Sequence, residues 1–229
     1  REGEAAAVRV HSVSYAYGRT PGIVDCHLAL APGETVALTG PSGSGKSTLI
    51  DLLCGLRSPD TGHIELDGID LRELRPDSLR EQLAVARTTE IFNGSIDENV
   101  HLSRSNVRAN DVRDALEIVG LLDEILKLPQ GLNSILQTNG APLTHSQATR
   151  LMLARAIVGR PRLLLIDGTL DSLPDGLLNE VLAGLTGDDI PWTLLVVTGR
   201  EAVMRTSCEA VRRRPDDPGR LGTDSLKRV

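Results

Sequence analysis

The run Gly40-Pro41-Ser42-Gly43-Ser44-Gly45-Lys46-Ser47-Thr48 leaves this chain few folds to choose from. It has the pattern of a phosphate-binding loop, a glycine and then Gly-Lys-Ser/Thr after a four-residue gap. It stands between an apolar stretch, Thr35-Val36-Ala37-Leu38, and a helix-like one, Thr48-Leu49-Ile50-Asp51-Leu52-Leu53. Strand, loop and helix therefore follow in the order such a site needs. The glycines let successive backbone N–H groups turn toward phosphate oxygens, and the helix that follows presents its positive end to the same anion. Lys46 is expected to reach the β- and γ-phosphates, the Ser47 hydroxyl to ligate Mg²⁺, and Thr48 to touch phosphate.

That phosphate site has to be local. A net charge of -6 and a pI near 5.4 argue against a nucleic-acid-binding surface or a basic membrane-surface helix. With 229 residues the chain fits one large domain, or a core with a subdomain. Cys26, Cys54 and Cys208 are scattered, with no Cys-x-x-Cys pair and no His-rich neighbourhood, so neither a disulfide framework nor a zinc site is indicated and a reducing compartment is expected. No apolar run approaches the roughly 18 residues of a membrane span, and no signal-peptide pattern opens the chain. The first residue is Arg1 rather than methionine, and a piece of a longer polypeptide is expected.

Val8 to Tyr17 alternates apolar and polar residues like a half-exposed strand, and Ile23 to Leu30 repeats the pattern after a break over Gly18 to Gly22. The turn Ala31-Pro32-Gly33-Glu34 leads into the strand before the loop. These strands predict an antiparallel sheet beside the core, and His63 to Gly68 reads as another alternating strand. Pro76 to Leu83 suits a short helix with proline in its first turn, and Ala84-Val85-Ala86 is apolar. From Gly94 to Gly120 the pattern is helical and polar, with a cap at Asn110 and acids in the turn after it; it runs on to Leu128 and breaks at Pro129-Gln130-Gly131. Thr144-His145-Ser146-Gln147 fits a capping box opening a helix to about Gly159. The apolar runs Leu163 to Ile166, ending at Asp167, and Trp192 to Val197, ending at Thr198-Gly199-Arg200, suit central parallel strands. Arg212 to Val229 has little to bury and reads as a solvated tail.

Gly33 to Thr48, Ile91 to Val100, Leu128 to Leu132, Arg150 to Pro161 and Leu163 to Asp167, in this order, resemble the nucleotide-binding domain of ATP-binding-cassette (ABC) transporters. Ile91-Phe92-Asn93-Gly94-Ser95-Ile96 and Leu128-Pro129-Gln130-Gly131-Leu132 look exporter-like, which sets aside soluble relatives working on DNA or ribosomes. The resemblance implies an α/β fold: a P-loop NTPase core of the recombinase (RecA-like) type with a mostly parallel sheet, an antiparallel β subdomain and an inserted helical subdomain. The implied division is 1–86 for the β subdomain and first part of the core, 87–159 for the helical subdomain, 160–211 for the rest of the core and 212–229 for the tail. In the family two such domains close head to tail over two ATP, and an aromatic side chain stacks on adenine; Tyr17 matches that position, with Tyr15 as its competitor. Asp167 matches the Walker B aspartate, expected to hold Mg²⁺ through water. The implied binding set is Tyr17, Gly40, Ser42 to Thr48 and Asp167, with ATP and Mg²⁺ as cofactors and Ser47 and Asp167 as metal ligands. The implied partners are a transmembrane domain, expected upstream in the same polypeptide, and a second nucleotide-binding domain, at the cytoplasmic face of a membrane and with no nucleic acid.

The catalytic positions depart from the family. Gly168 stands where a glutamate normally polarises the attacking water, and Gly199 where a histidine normally contacts the γ-phosphate. The glutamine that normally links the core to the helical subdomain is replaced by Arg87 or Thr88. The signature, usually Leu-Ser-Gly-Gly-Gln, reads Leu143-Thr144-His145-Ser146-Gln147 and keeps a hydroxyl but neither glycine; there His145 donating to phosphate and a plain capped helix end are both open. Asp171-Ser172-Leu173-Pro174 replaces a loop usually ending in Leu-Asp. General acid–base help is worth about 10² to 10⁴ in rate, whereas phosphate contacts act largely on binding, so binding should outlive hydrolysis. The expectation is an ATP-binding, dimerising domain with weak or no hydrolysis. The alternatives are an ATPase using Asp171 as a substitute acid and a regulatory or scaffolding module that needs no nucleotide.

Overall fold

In the computed structural model, residues 4–87, 89–187, 190–200, 203 and 209–211 are described. Thr88 and the expected tail 212–229 lie outside them. In chain order the elements are β1 (Val8–Tyr17), β2 (Thr20–Leu30), β3 (Thr35–Leu38), α1 (Lys46–Leu53), β4 (Thr61–Leu66), β5 (Ile69–Asp70), α2 (Pro76–Gln82) and β6 (Leu83–Ala86). There follow β7 (Gly94–Ser95), α3 (Ile96–His101), α4 (Ala109–Ile118), α5 (Leu122–Leu126), β8 (Ile135–Leu136), α6 (His145–Ile157), β9 (Leu163–Asp167), α7 (Asp175–Leu185), β10 (Thr193–Val197) and β11 (Glu209–Val211).

Two larger sheets result. One is antiparallel in the order β2-β1-β4-β5; the other is parallel throughout in the order β11-β3-β10-β9-β6. In the antiparallel sheet His11 lies opposite His63, their rings stack with centroids 4.7 Å apart, and both reach Glu65. That face takes polar pairs while Val8, Val10, Ile64 and Leu66 on the other face are buried.

Side chains alternate across a strand, and in the parallel sheet that alternation separates two cores. Leu164, Ile166, Leu194 and Val196 pack with α4, α6 and α7. Leu163, Leu165, Leu195 and Val197 pack with α1 and the antiparallel sheet. The apolar runs buried on both faces are the central strands the sequence predicts.

The helical stretch differs in detail from its expectation. It is broken between α3 and α4, where Leu102 and Ser103 take φ of 52° and 55°. The cap of α4 is Arg108 rather than Asn110, the Arg108 N–H donating to Asp111 Oδ2 at 2.7 Å. Asp111 serves as the box acid, which moves the helix start toward the N-terminus.

Candidate functional site: a phosphate cradle at the strand ends

Strands β3, β10 and β9 end level, since Leu38 and Asp167 both lie in register with Val197. The Gly168 N–H donates to Val197 O at 3.0 Å and the Thr198 N–H to Leu38 O at 3.2 Å, stitching the strand-end loops side by side. Ligands of open parallel sheets bind outside these carboxyl ends. Between the loops and the tip of the β1–β2 hairpin lies a cleft of about 560 Å³. It gathers Tyr17, Gly40, residues 42–48 and Asp167, together with both altered positions, Gly168 and Gly199. Leu143 to Gln147 are not among its lining residues.

The cradle follows from local backbone chemistry. Gly45 caps α1 with φ 88°, and the helix start has no side-chain cap, so its terminal N–H groups are left to the loop side. A Cβ at Gly45 would stand 2.5 Å from Gly22 O and 2.9 Å from Ile23 Cγ1, so this glycine is also where the loop packs on β2. Lys46 Nζ donates to the carbonyls of Gly40 at 2.9 Å and Pro41 at 2.8 Å. Burial lowers the ammonium pKa of Lys46, against the pull of the Asp167 and Asp171 carboxylates.

Tyr17 rather than Tyr15 borders the cleft. Its hydroxyl lies 3.1 Å from Thr48 Oγ1, and the Arg57 guanidinium lies over its ring, 4.8 Å from the centroid. Tyr15 stands edge-on to Tyr17, packs against the core beneath the antiparallel sheet and accepts a hydrogen bond from Arg57 Nη1 at 3.0 Å.

Arg87 is the group that family patterns do not prepare for. Its guanidinium wedges between α1 and the end of β9: Nη1 donates to Asp51 Oδ1 at 2.8 Å, Nη2 to Ser47 O at 3.4 Å, and Nε lies 3.0 Å from Asp167 Oδ2. The last contact is Coulombic, because the Nε–H is not aimed at an acceptor. The loop is held from below by Thr169, whose hydroxyl donates to Ala86 O at 2.9 Å and Arg87 O at 3.2 Å. Asp51 also pairs with Arg57 Nε at 3.0 Å. Burial pushes the Asp51 carboxyl pKa up, but hydrogen bonds from Arg87 and Arg57 outweigh it and leave it below the ordinary value. Sequence reasoning passed over Asp51 and Thr169. The signal was an acid inside an apolar helix, four positions after Ser47 and hence on its face.

This arrangement bears on the expected metal. Ser47 and Asp167 do line the same cleft, yet the Asp167 carboxylate already faces a guanidinium that keeps its charge at any working pH. Arg87 meets Asp167 at one carboxylate oxygen and Ser47 at its backbone carbonyl rather than its hydroxyl, so the Ser47 hydroxyl and Asp167 still fit the metal-holding roles that the family pattern gives them.

The altered catalytic positions are open space. A Cβ at Gly168 or Gly199 would meet nothing within 4 Å. Asp171, the candidate substitute acid, lines the cleft, but its carboxylate accepts from the Thr198 hydroxyl and, at 3.3 Å, from the Gly199 N–H. It ties the loop after β9 to the end of β10. Arg200 continues the seam by donating to Leu173 O and Asp175.

The signature-like residues build the start of α6. Thr144 Oγ1 accepts from the Gln147 N–H at 3.3 Å, and the Thr144 N–H donates to Gln147 Oε1 at 2.8 Å. Gln147 Nε2 donates onward to Glu124 Oε2 at 2.6 Å. Leu143 packs against the helical core, Ser146 is half-buried and His145 is exposed.

Residues 23–170 match the family model for ABC transporter proteins. The chain is 31% identical over 207 residues to the mycobactin import ATP-binding/permease protein IrtB of Mycolicibacterium thermoresistibile, covering 90% of this chain and 36% of that protein. It is 35% identical over 181 residues to the ATP-dependent lipid A-core flippase of Thiobacillus denitrificans, covering 78% of this chain and 31% of the relative. The chain thus spans about a third of the length of these curated relatives. The solved structure of a bacterial Atm1-family ABC exporter with ATP bound superposes with a TM-score of 0.87 at 27% identity, over 95% of this chain and 38% of that one. With its phosphate cradle, sheet order and these relatives in agreement, the chain belongs to the ABC transporter family, as an ATP-binding domain of the exporter type.

Proposed function

We propose that this domain binds ATP, closes against a second nucleotide-binding domain at the cytoplasmic face of a membrane, and drives or regulates transport with weak or no hydrolysis of its own. Its relatives carry ATP-binding and permease parts in one protein, which supports a transmembrane domain in the same polypeptide. No helix among the described residues is long and apolar enough to cross a membrane. In this reading residues 1–86 and 160–211 form the core and β subdomain, and 87–159 carries the signature-like helix to the partner site. The observation that carries the proposal is one cleft holding an intact cradle, Gly40 to Thr48 with Lys46, beside Gly168 and Gly199 where the reacting groups should stand. Nucleotide is held, and nothing at Gly168 polarises water.

The test is equilibrium binding of fluorescent ATP together with phosphate release. Binding is expected without turnover above background, Lys46→Ala should weaken binding by about tenfold or more as a charge-assisted phosphate contact is lost, and Asp171→Asn should leave residual turnover unchanged. Turnover at ordinary enzymatic rates that disappears in Lys46→Ala overturns the proposal. A loss of turnover in Asp171→Asn revives the substitute acid.

A further inference from the structure

We infer that His11, His63 and Glu65, on the outward face of the antiparallel sheet and apart from the nucleotide cleft, form a binding site for a divalent transition-metal ion such as Zn²⁺. His11 of β1 and His63 of β4 are direct register partners, and Glu65 follows two residues along β4, hence on the same face. The sheet gathers three donors at one spot. His63 Nε2 lies 3.2 Å from Glu65 Oε1 and His11 Nε2 lies 3.7 Å from Glu65 Oε2, and the three donor atoms all lie within 4.8 Å of one another. With metal–ligand bonds of about 2.0–2.1 Å, tetrahedral donors stand about 3.3 Å apart. The histidine–carboxylate distances are thus already close to those around a coordinated ion, and the rings need only turn toward each other from a separation of no more than 4.8 Å.

The strands hold this arrangement in place. Gly62, just before His63, takes φ 77°, and a Cβ there would collide with His11 O, so a glycine is what lets β4 lie this close to β1 beside the pair. Val8, Val10, Ile64 and Leu66 anchor the same strands in the core. The donors themselves are partly exposed, by 44% for His11, 38% for His63 and 23% for Glu65, which leaves them open to an ion and free to rotate. Arg9 lies opposite Glu65 in the register but makes no ion pair with it among the described residues, so the carboxylate is left to the histidines. Two imidazoles and a carboxylate suit Zn²⁺, Ni²⁺ or Cu²⁺ rather than Mg²⁺, which takes oxygen donors. The ion uses the Nε2 lone pairs while the ring protons stay on Nδ1, and three protein donors leave a coordination position for water. Spacing along the chain gives no sign of the site, because the register of β1 on β4 assembles it.

The test is calorimetric titration of the tag-free chain with Zn²⁺, in excess Mg²⁺ so that sites for hard cations are occupied. One Zn²⁺ per chain is expected, with a dissociation constant below about 100 μM, and His11→Ala, His63→Ala and Glu65→Gln should each weaken it at least about tenfold. His27→Ala removes an exposed histidine of β2 that bonds Ser12 and Asp25 instead, and should leave the affinity within about threefold of wild type. As a second readout, which needs no variant, Ni²⁺ should broaden the ring-proton magnetic resonance signals of His11 and His63 before those of His27, His101 and His145. Weaker binding than this in the wild type, an affinity that any one of the three substitutions leaves unchanged, an equal loss in His27→Ala, or broadening that reaches another histidine first overturns the inference.

Discussion

Gly168 is set apart by its backbone as well as by its missing side chain. It sits at φ 72°, a left-handed conformation free to glycine and costly to any residue with a Cβ. A glutamate restored there has room, since a Cβ meets nothing within 4 Å, but it would carry a strain of roughly 1 kcal/mol. Chemical denaturation of Gly168→Glu should therefore show a stability loss of about that size. Its phosphate release should stay near background, because Gly199 still lacks the group that acts together with the glutamate and such groups are strongly non-additive. Gly199 carries no such strain, and Gly168→Glu combined with Gly199→His should release phosphate measurably faster than either change alone. Equal rates in the double and single variants would place the block elsewhere, with Arg87 the first group to replace.

Helix starts show how far local sequence reaches. The capping box at Thr144 and the proline-led α2 were legible because every participant lies within one turn: Gln147 is three residues from Thr144, and Pro76 opens its own helix. The central strands were legible from unbroken apolar runs. The two-residue ladder between β7 and β8 was not, because two residues carry no period, and its partners are brought together only by the folded helical region. Nor was the reach of Arg87 to Asp51, a contact between residues 36 apart in sequence that depends on β6 lying beside β9 at the edge of the sheet. The loop could be read as a cradle and Gly168 as a loss, whereas the guanidinium beside Asp167 needed the assembled sheet. For α6 the cap bond implies a cost: Thr144→Ala should destabilise the domain by about 1 kcal/mol and Thr144→Ser by much less, measured by urea unfolding. Equal losses in both would mean the methyl rather than the hydroxyl matters.

The parallel sheet divides the molecule into two cores, and a few arginines tie its parts together at the margins. Arg162 joins the strand-edge backbone to the β subdomain, donating to Glu4 O at 2.6 Å, Gln82 Oε1 at 2.7 Å and Asp67 Oδ2 at 2.5 Å. Arg87 and Arg57 do the same around Asp51, whose side chain is only 15% exposed. Stability thus rests partly on a carboxylate, and that makes it pH-dependent in a definite direction. In the fold the Asp51 pKa lies below its unfolded value, so its contribution is fully present above the ordinary carboxylate pKa and disappears as pH falls through the folded-state value. Other acids titrate in the same window: Asp70 is held down to about 2 by its bonds to Arg72, and Glu98 and Glu124 are lowered as well, so the acid limb of the wild type is a sum. Subtracting a variant isolates one member. Asp51→Asn leaves the Arg87 guanidinium without its carboxylate and should cost about 2 kcal/mol at neutral pH. The gap between the two proteins in urea melts should then narrow as pH drops below about 4, where the carboxylate of the unfolded chain begins to protonate while the folded one, held lower, stays charged. A gap constant down to the lowest pH at which both still fold would show that Asp51 acts through packing alone, and that its ion pair with Arg87 does not steady the cleft.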